Sequence, residues 1–362
     1  MKSTIIVTIT DNISASSMPF NEFVLYRLKN SPEEKQIVIL LFKDKVSVDV
    51  VIPPELEFYI VGDNSKELRQ IASEIDRKGK VNNCKVVFHI HEAKSVLFFN
   101  VATHFRYSKQ ILYTLHSTYK NYPLHNKIFS RIASFQCAYV VCVSKTSLKH
   151  YPYDIRFLRK SKVKYIQNGV DIDRISIAKS EKHSSGFLNC VYVARMRPSK
   201  RHELLIEAIR SVDGINLIFV GTGVLEEQLK DKAKKFRVDN RIMFCGQLPR
   251  DQVYERIKSS DVFLSASTYE GLPIGVLEGM ACGLPCILSN IEQHREIEEC
   301  CSHIILTEND LDSWIVALAD IKEKSKDELQ TIGLLNKNDV ESAFSLKRMH
   351  DEYNYLYEKI RS

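Results

Sequence analysis

The residues with the clearest chemical promise lie in the stretch 261–285, DVFLSASTYEGLPIGVLEGMACGLP. Residues 261–266 form the short apolar run of a buried strand. Glu270 and Gly271 follow in a loop, and Pro273 opens an apolar helix that carries Glu278 and stops at Gly283-Leu284-Pro285. In an open parallel sheet, ligands gather beyond the carboxyl ends of the strands, where a helix N-terminus offers unpaired amides and the positive end of a dipole. An anion such as a diphosphate suits Gly271, Leu272, Pro273 and Ile274. Glu270 can accept hydrogen bonds from sugar hydroxyls at one end of such a ligand. Glu278, about one turn into the helix at ~1.5 Å rise per residue, can reach hydroxyls on the far side of the phosphates.

Such a unit needs a sheet to stand on, and the chain is long enough to build two. Its 362 residues suit two domains of ordinary size, with the hydrophobic and charged fractions of a globular protein. No apolar run approaches the ~20 residues that cross a bilayer, and the opening MKSTIIVTIT reads as a first buried strand. Nine cysteines without a Cys-x-x-Cys pair predict free thiols in a reducing compartment, hence a cytoplasmic protein.

Strand candidates at 4–9, 36–42, 58–61, 86–90, 110–115 and 139–143 alternate with stretches of helix length, the pattern of a doubly wound α/β domain. A second alternation begins at 190–194 and includes 217–220, 242–246 and 287–290. Gly221-x-Gly223 invites a dinucleotide reading, but Glu226 stands where the third glycine belongs. His89, His91 and His116 follow or end strands. For His89 and His91 packing is the preferred reading, since no Cys or Asp assembles with them at metal-ligand spacing. Asp171-x-Asp173 and Asp310-x-Asp312 are best read as loop acids.

Two glutamates with seven residues between them, EGLP at the first and a small-residue helix ending GMACGLP around the second, resemble the donor-site signature of glycosyltransferase family 4. The resemblance implies the GT-B architecture, two Rossmann-like doubly wound domains facing each other across a cleft, with transfer from a UDP- or GDP-sugar and retention of anomeric configuration. It implies an acceptor-side domain at 1–168, a donor-binding domain at 169–345, and a final helix, 346–362, crossing back to the first. On this pattern Arg195 and Lys200 match two cations on the donor diphosphate, with Ala194 and Arg201 where glycine is common. The Gly221–Gly223 turn faces the phosphates. His116 matches a strand-end histidine beside the donor sugar, and the loop Asp11 to Ser17, which has no glycine, occupies the acceptor side. The resemblance further implies that no cofactor and no catalytic metal are needed, the two cations stabilising the leaving diphosphate.

Net charge is +6, yet segment 93–164 holds thirteen Lys and Arg against the single acid Asp154. That asymmetry predicts an anionic partner. From Lys145 to Lys164 the bases alternate with Tyr and Phe, a mixture suited to an anionic membrane surface. Nucleic acid would use the same residue types but is less compatible with a sugar-donor site. The expected enzyme therefore works at the inner face of a membrane, adding a sugar to a glycan or lipid-linked acceptor in surface polysaccharide synthesis. Two alternatives are a GT-B nucleotide-sugar epimerase, which would form product without an acceptor, and a non-catalytic binding module, which would hold the donor unchanged.

Overall fold

Runs such as Ile5-Ile6-Val7 and Ile37-Val38-Ile39-Leu40-Leu41 are apolar on both strand faces, which suits only a parallel sheet covered on both sides. The computed structural model of the chain describes residues 4–13, 19–43, 50–179 and 186–360 and places them in such a sheet. Its strands are β1 (Thr4–Thr10), β2 (Lys35–Leu41), β3 (Glu57–Gly62), β4 (Lys85–Ile90), β5 (Ile111–Leu115), β6 (Tyr139–Cys142) and β7 (Val163–Tyr165). They lie in the order β3-β2-β1-β4-β5-β6-β7, every pair parallel. A second all-parallel sheet holds β8 (Leu188–Val193), β9 (Ile215–Val220), β10 (Ile242–Phe244), β11 (Val262–Ser265), β12 (Cys286–Ser289) and β13 (Ile305–Thr307), in the order β10-β9-β8-β11-β12-β13.

The chain divides accordingly. One unit is Met1–Asn168 with Lys347–Ser362, and the other is Gly169–Leu346. In each, the first strand sits between its second and fourth, so strand order reverses at β1/β4 and at β8/β11. A doubly wound sheet opens its ligand crevice at the carboxyl ends of such a pair.

Helices cover both faces. In the second unit Leu205, Leu217 and Trp314 pack on one side of the sheet, and Phe263, Val276 and Met280 on the other. The helix Ile274–Ala281, which carries Glu278, is pinned by close contacts. A Cβ at Gly279 would come within 2.4 Å of the Phe263 ring. The helix Lys326–Ala343 crosses the turn behind it so tightly that a Cβ on Gly333 would lie 1.9 Å from the Gly283 carbonyl oxygen. Gly283-Leu284-Pro285 is thus a packing element.

In the first unit, the C-terminal helix Leu346–Lys359 buries Met349, Tyr353, Leu356 and Tyr357. The Tyr357 hydroxyl bonds His89 Nδ1 at 2.7 Å, the Tyr353 hydroxyl lies 3.2 Å from Thr114 Oγ1, and His350 Nε2 donates to the Glu22 carbonyl at 2.7 Å. His89 is therefore a core residue. Asp171 and Asp310 accept from the backbone amides of Arg174 and Ser313, so both are helix caps.

Candidate active site

The chain leaves β8 into the loop carrying Arg195 and Lys200, and leaves its neighbour β11 into the loop carrying Glu270. The two loops are tied to each other. Thr268 donates from its amide and its hydroxyl to the Ser199 carbonyl, at 2.9 and 3.3 Å. The buried Tyr192 hydroxyl donates to the Lys200 carbonyl at 3.1 Å and lies 2.9 Å from Ser267 Oγ. Across this join the Lys200 ammonium pairs with the Glu270 carboxylate, their side chains only 19% and 14% exposed. The helix start belongs to the same crevice, because a Cβ on Gly275 would stand 3.1 Å from the carbonyl oxygen of Val193 at the end of β8.

Arg195 has a different setting. It is exposed, and partial desolvation followed by the charge of Arg197 lowers its pKa. The backbone on either side of it is held down by the two glycines after β9. A Cβ on Gly221 would meet the Ala194 carbonyl oxygen at 2.4 Å, and one on Gly223 would meet that of Met196 at 2.3 Å. These glycines let the Arg195 loop close onto the β9 turn. Arg201 sits in the left-handed region at φ 49°, ψ 40°, where glycine would be unstrained, and its guanidinium donates to the Asn309 carbonyl at 2.7 Å.

Glu278 has a partner within the second unit. Its side chain is turned inward and buried, and its carboxylate lies 2.7 Å from Arg250 Nη2. Burial pushes its pKa up, opposed first by the charge of Arg250 and then by a hydrogen bond from Tyr254. Arg250 also donates from Nε to the Tyr254 hydroxyl at 2.9 Å. Nothing in sequence spacing links 250 to 278; the pairing appears only when the helix Arg250–Lys258 packs beside Ile274–Ala281. His294 was also missed. It is buried, donates from Nδ1 to the Ser289 carbonyl at 2.7 Å, and Ser289 in turn donates to the Ser267 carbonyl, so it supports the floor of the Glu270 loop.

In the first unit, the β1/β4 switch point gathers Thr10, Glu92 and His91, with His116 just past β5. Thr10 Oγ1 donates to Glu92 Oε1 at 3.1 Å, and burial first, then Asp11, hold the Glu92 carboxyl well above the usual range. His91 Nδ1 lies 2.8 Å from His116 Nε2 with the rings stacked. Two neutral imidazoles so joined share one proton, so the tautomer of His91 fixes that of His116 and decides whether His116 Nδ1 donates or accepts. His91 is packed as the sequence suggested, and it also holds His116. Of the glycine-free loop, Asp11 to Ile13 are described; Ser14 to Ser17 lie outside the described residues.

Two family models cover most of the chain: "Glycosyltransferase Family 4" matches residues 24–174 and "Glycosyl transferases group 1" matches residues 173–333. The chain belongs to glycosyltransferase family 4. It is 25% identical over 296 residues to the Escherichia coli UDP-Gal:α-D-GlcNAc-diphosphoundecaprenol α-1,3-galactosyltransferase, covering 75% of this chain and 74% of that protein. Identity to the putative colanic acid biosynthesis glycosyltransferase WcaL of E. coli K12 is 25%, over 56% of this chain and about half (52%) of that protein. Among solved structures, Anabaena HepE in complex with UDP and glucose superposes with a TM-score of 0.76 at 16% identity, over 98% of this chain and all of that one. A Rickettsia africae glycosyltransferase gives 0.76 at 18% identity, over 99% of each chain. The two doubly wound units are those of the GT-B fold.

In this family 4 enzyme the structure brings Lys200 and Glu270 into contact and places Arg195 after β8 and Gly271, Leu272, Pro273 and Ile274 after the adjacent β11. Glu278 is paired with Arg250, and the two glycines pack against the Arg195 loop. The histidines give the enzyme an acid sensitivity. Burial is the first cause lowering the pKa of His89, His91, His116 and His350 in the first unit and of His202 and His294 in the second, to about 4 for His116 and His294 and about 3 for His202. Below pH ~6.5 the unfolded chain takes protons that the folded chain refuses, so stability is full above that pH and falls by up to ~1.4 kcal/mol per pH unit per histidine. The raised carboxyls of Glu92, Glu278 and Glu352 act in the opposite sense from about pH 4.5 upward and offset part of this loss. Urea midpoints should be flat from pH 8 to 7 and decline toward pH 5. The decline should be steeper by circular dichroism, which reads both units, than by fluorescence of Trp314, the chain's single tryptophan, which lies in the second. Equal midpoints at pH 7 and 5 would refute this.

Proposed function

We propose that the enzyme transfers a sugar, with retention and without a metal, from a UDP-sugar to a hydroxyl of a lipid-linked saccharide during surface polysaccharide synthesis. The observation that carries the reading is the Lys200–Glu270 pair beside the exposed Arg195 at the β8/β11 switch point. A donor diphosphate competes with Glu270 for Lys200 and adds Arg195, and the freed carboxylate of Glu270 then accepts from hydroxyls of the sugar. Arg presents a planar fork and Lys a mobile point charge, and both strengthen as charge grows on the leaving diphosphate. Glu278, oriented by Arg250, serves the nucleoside side. His116, held neutral beside His91, is assigned to the reacting sugar and phosphate.

In the reaction, the bond from the anomeric carbon to the phosphate oxygen breaks while a bond to the acceptor oxygen forms on the same face. The acceptor proton passes to the departing phosphate, giving a glycoside and UDP. The choice of UDP and of a lipid-linked acceptor draws on the names of the E. coli galactosyltransferase and of the HepE complex.

A panel of UDP- and GDP-sugars at about 100 times their Kd should include one that stabilises the fold by ~2.7 kcal/mol, read as a melting temperature raised by several degrees. With that donor and an undecaprenyl-diphosphate saccharide in EDTA, proton NMR should show a product with the anomeric configuration of the donor. Inversion, loss of turnover in EDTA, or product formed without acceptor would each overturn the reading.

A further inference from the structure

We infer that the helix Leu124–Phe135, together with Tyr153–Leu158, is a docking face for an anionic lipid bilayer. The first helix is inside out. Its buried side carries small residues, Ser130, Ala133 and Ser134, with Ser130 3.5 Å from the Tyr113 hydroxyl and Ser134 bonded to that of Tyr151. Its exposed side carries Leu124, Ile128, Ile132 and Phe135, at 75%, 48%, 44% and 54% exposure. At 3.6 residues per turn these four fall within an arc of about 80°, one continuous stripe.

The second helix continues the surface. Arg131 reaches across to Asp154, with Nη1 3.3 Å from Oδ1, and so links the two helices. Beyond the joint, Tyr153 and Phe157 stack at 6.2 Å, exposed at 72% and 70%, beside Leu158 at 68%. A soluble face this apolar covers something.

Charge selects the occupant. Asp154 is the single acid in 93–164, and Arg131 pairs with it, so the remaining charges that this segment contributes are cationic, including the exposed Lys160 and Lys164. Pairing two copies of the chain through this face would bring like charges together. An anionic bilayer takes the rings and aliphatic side chains at headgroup depth and the lysines at its phosphates. No helix among the described residues is long and apolar enough to cross a membrane, so the contact is one of lying on the surface. The sequence pointed to Lys145 to Lys164. The structure adds the apolar stripe of the helix before it and turns Val163 inward on β7.

The test is cosedimentation of the full chain with vesicles of phosphatidylglycerol and phosphatidylcholine, or of phosphatidylcholine alone. Binding should require phosphatidylglycerol and weaken with salt. The triple variant Ile128→Ser, Ile132→Ser, Phe135→Ser should lose at least about tenfold in partitioning, and Lys160→Gln and Lys164→Gln about fivefold each. Both sets should keep the wild-type circular dichroism melt and the stabilisation by donor, so a failure here is distinct from a failure of the donor reading. Three results would overturn the inference: no vesicle binding at low salt, binding indifferent to both sets of variants, or a wild-type dimer that the triple variant dissociates while vesicles go unbound.

Discussion

Lys200→Ala and Arg195→Ala should each lower kcat/KM for sugar transfer by about 10²–10³-fold, the usual consequence of removing one fixed cation or donor aimed at developing negative charge. The two variants should differ in stability. Lys200 is paired with Glu270 in a mostly buried setting, so its loss leaves a carboxylate poorly solvated and should lower the urea midpoint. Arg195 is exposed, and its loss should leave the midpoint unchanged. Steady-state kinetics and urea titrations of the same preparations separate these effects. Full activity in both variants would remove the diphosphate assignment.

The second large effect concerns stability. Arg250→Ala strands the buried Glu278 carboxylate and should cost the second unit about 3–5 kcal/mol at neutral pH, read by Trp314 fluorescence. Burial already raises the Glu278 pKa, and without Arg250 it rises further. The folded variant then holds a proton that the unfolded chain releases, so the gap between variant and wild type should narrow as pH falls. A variant as stable as wild type at pH 7.5, or a gap that widens in acid, would show that the pair contributes nothing.

Much of this was legible beforehand. Both-faces-apolar runs gave the parallel strands because burial on two sides leaves few other options, and EGLP with its following helix marked the β11 crevice because turn and helix-start chemistry is local. What escaped is what depends on packing between elements distant in sequence. The Arg250–Glu278 pair spans two helices. The His91–His116 bond joins two strand ends. β7 went unread because Lys164 and Tyr165 face outward at a sheet edge and only Val163 is buried. The helix Lys326–Ala343 carries a capping box at Ser325 and Glu328, yet its importance lies in Gly333 pressing on Gly283, which no periodicity reveals. The inside-out helix Leu124–Phe135 looks from sequence like an ordinary amphipathic one, since a pattern of apolar residues does not say which side faces the core.

The most direct measurement is calorimetric titration of UDP into the wild-type enzyme, Lys200→Ala, and Glu270→Gln. If the Lys200–Glu270 crevice holds the donor diphosphate, wild type binds one UDP per chain. Lys200→Ala then binds it about ten- to a hundredfold more weakly, as expected for the loss of a charge-assisted contact of ~1.5–3 kcal/mol. Glu270→Gln, which frees Lys200 from its internal partner, binds UDP at least as tightly as wild type. Equal affinity in wild type and Lys200→Ala, or no UDP binding at all, would contradict the account.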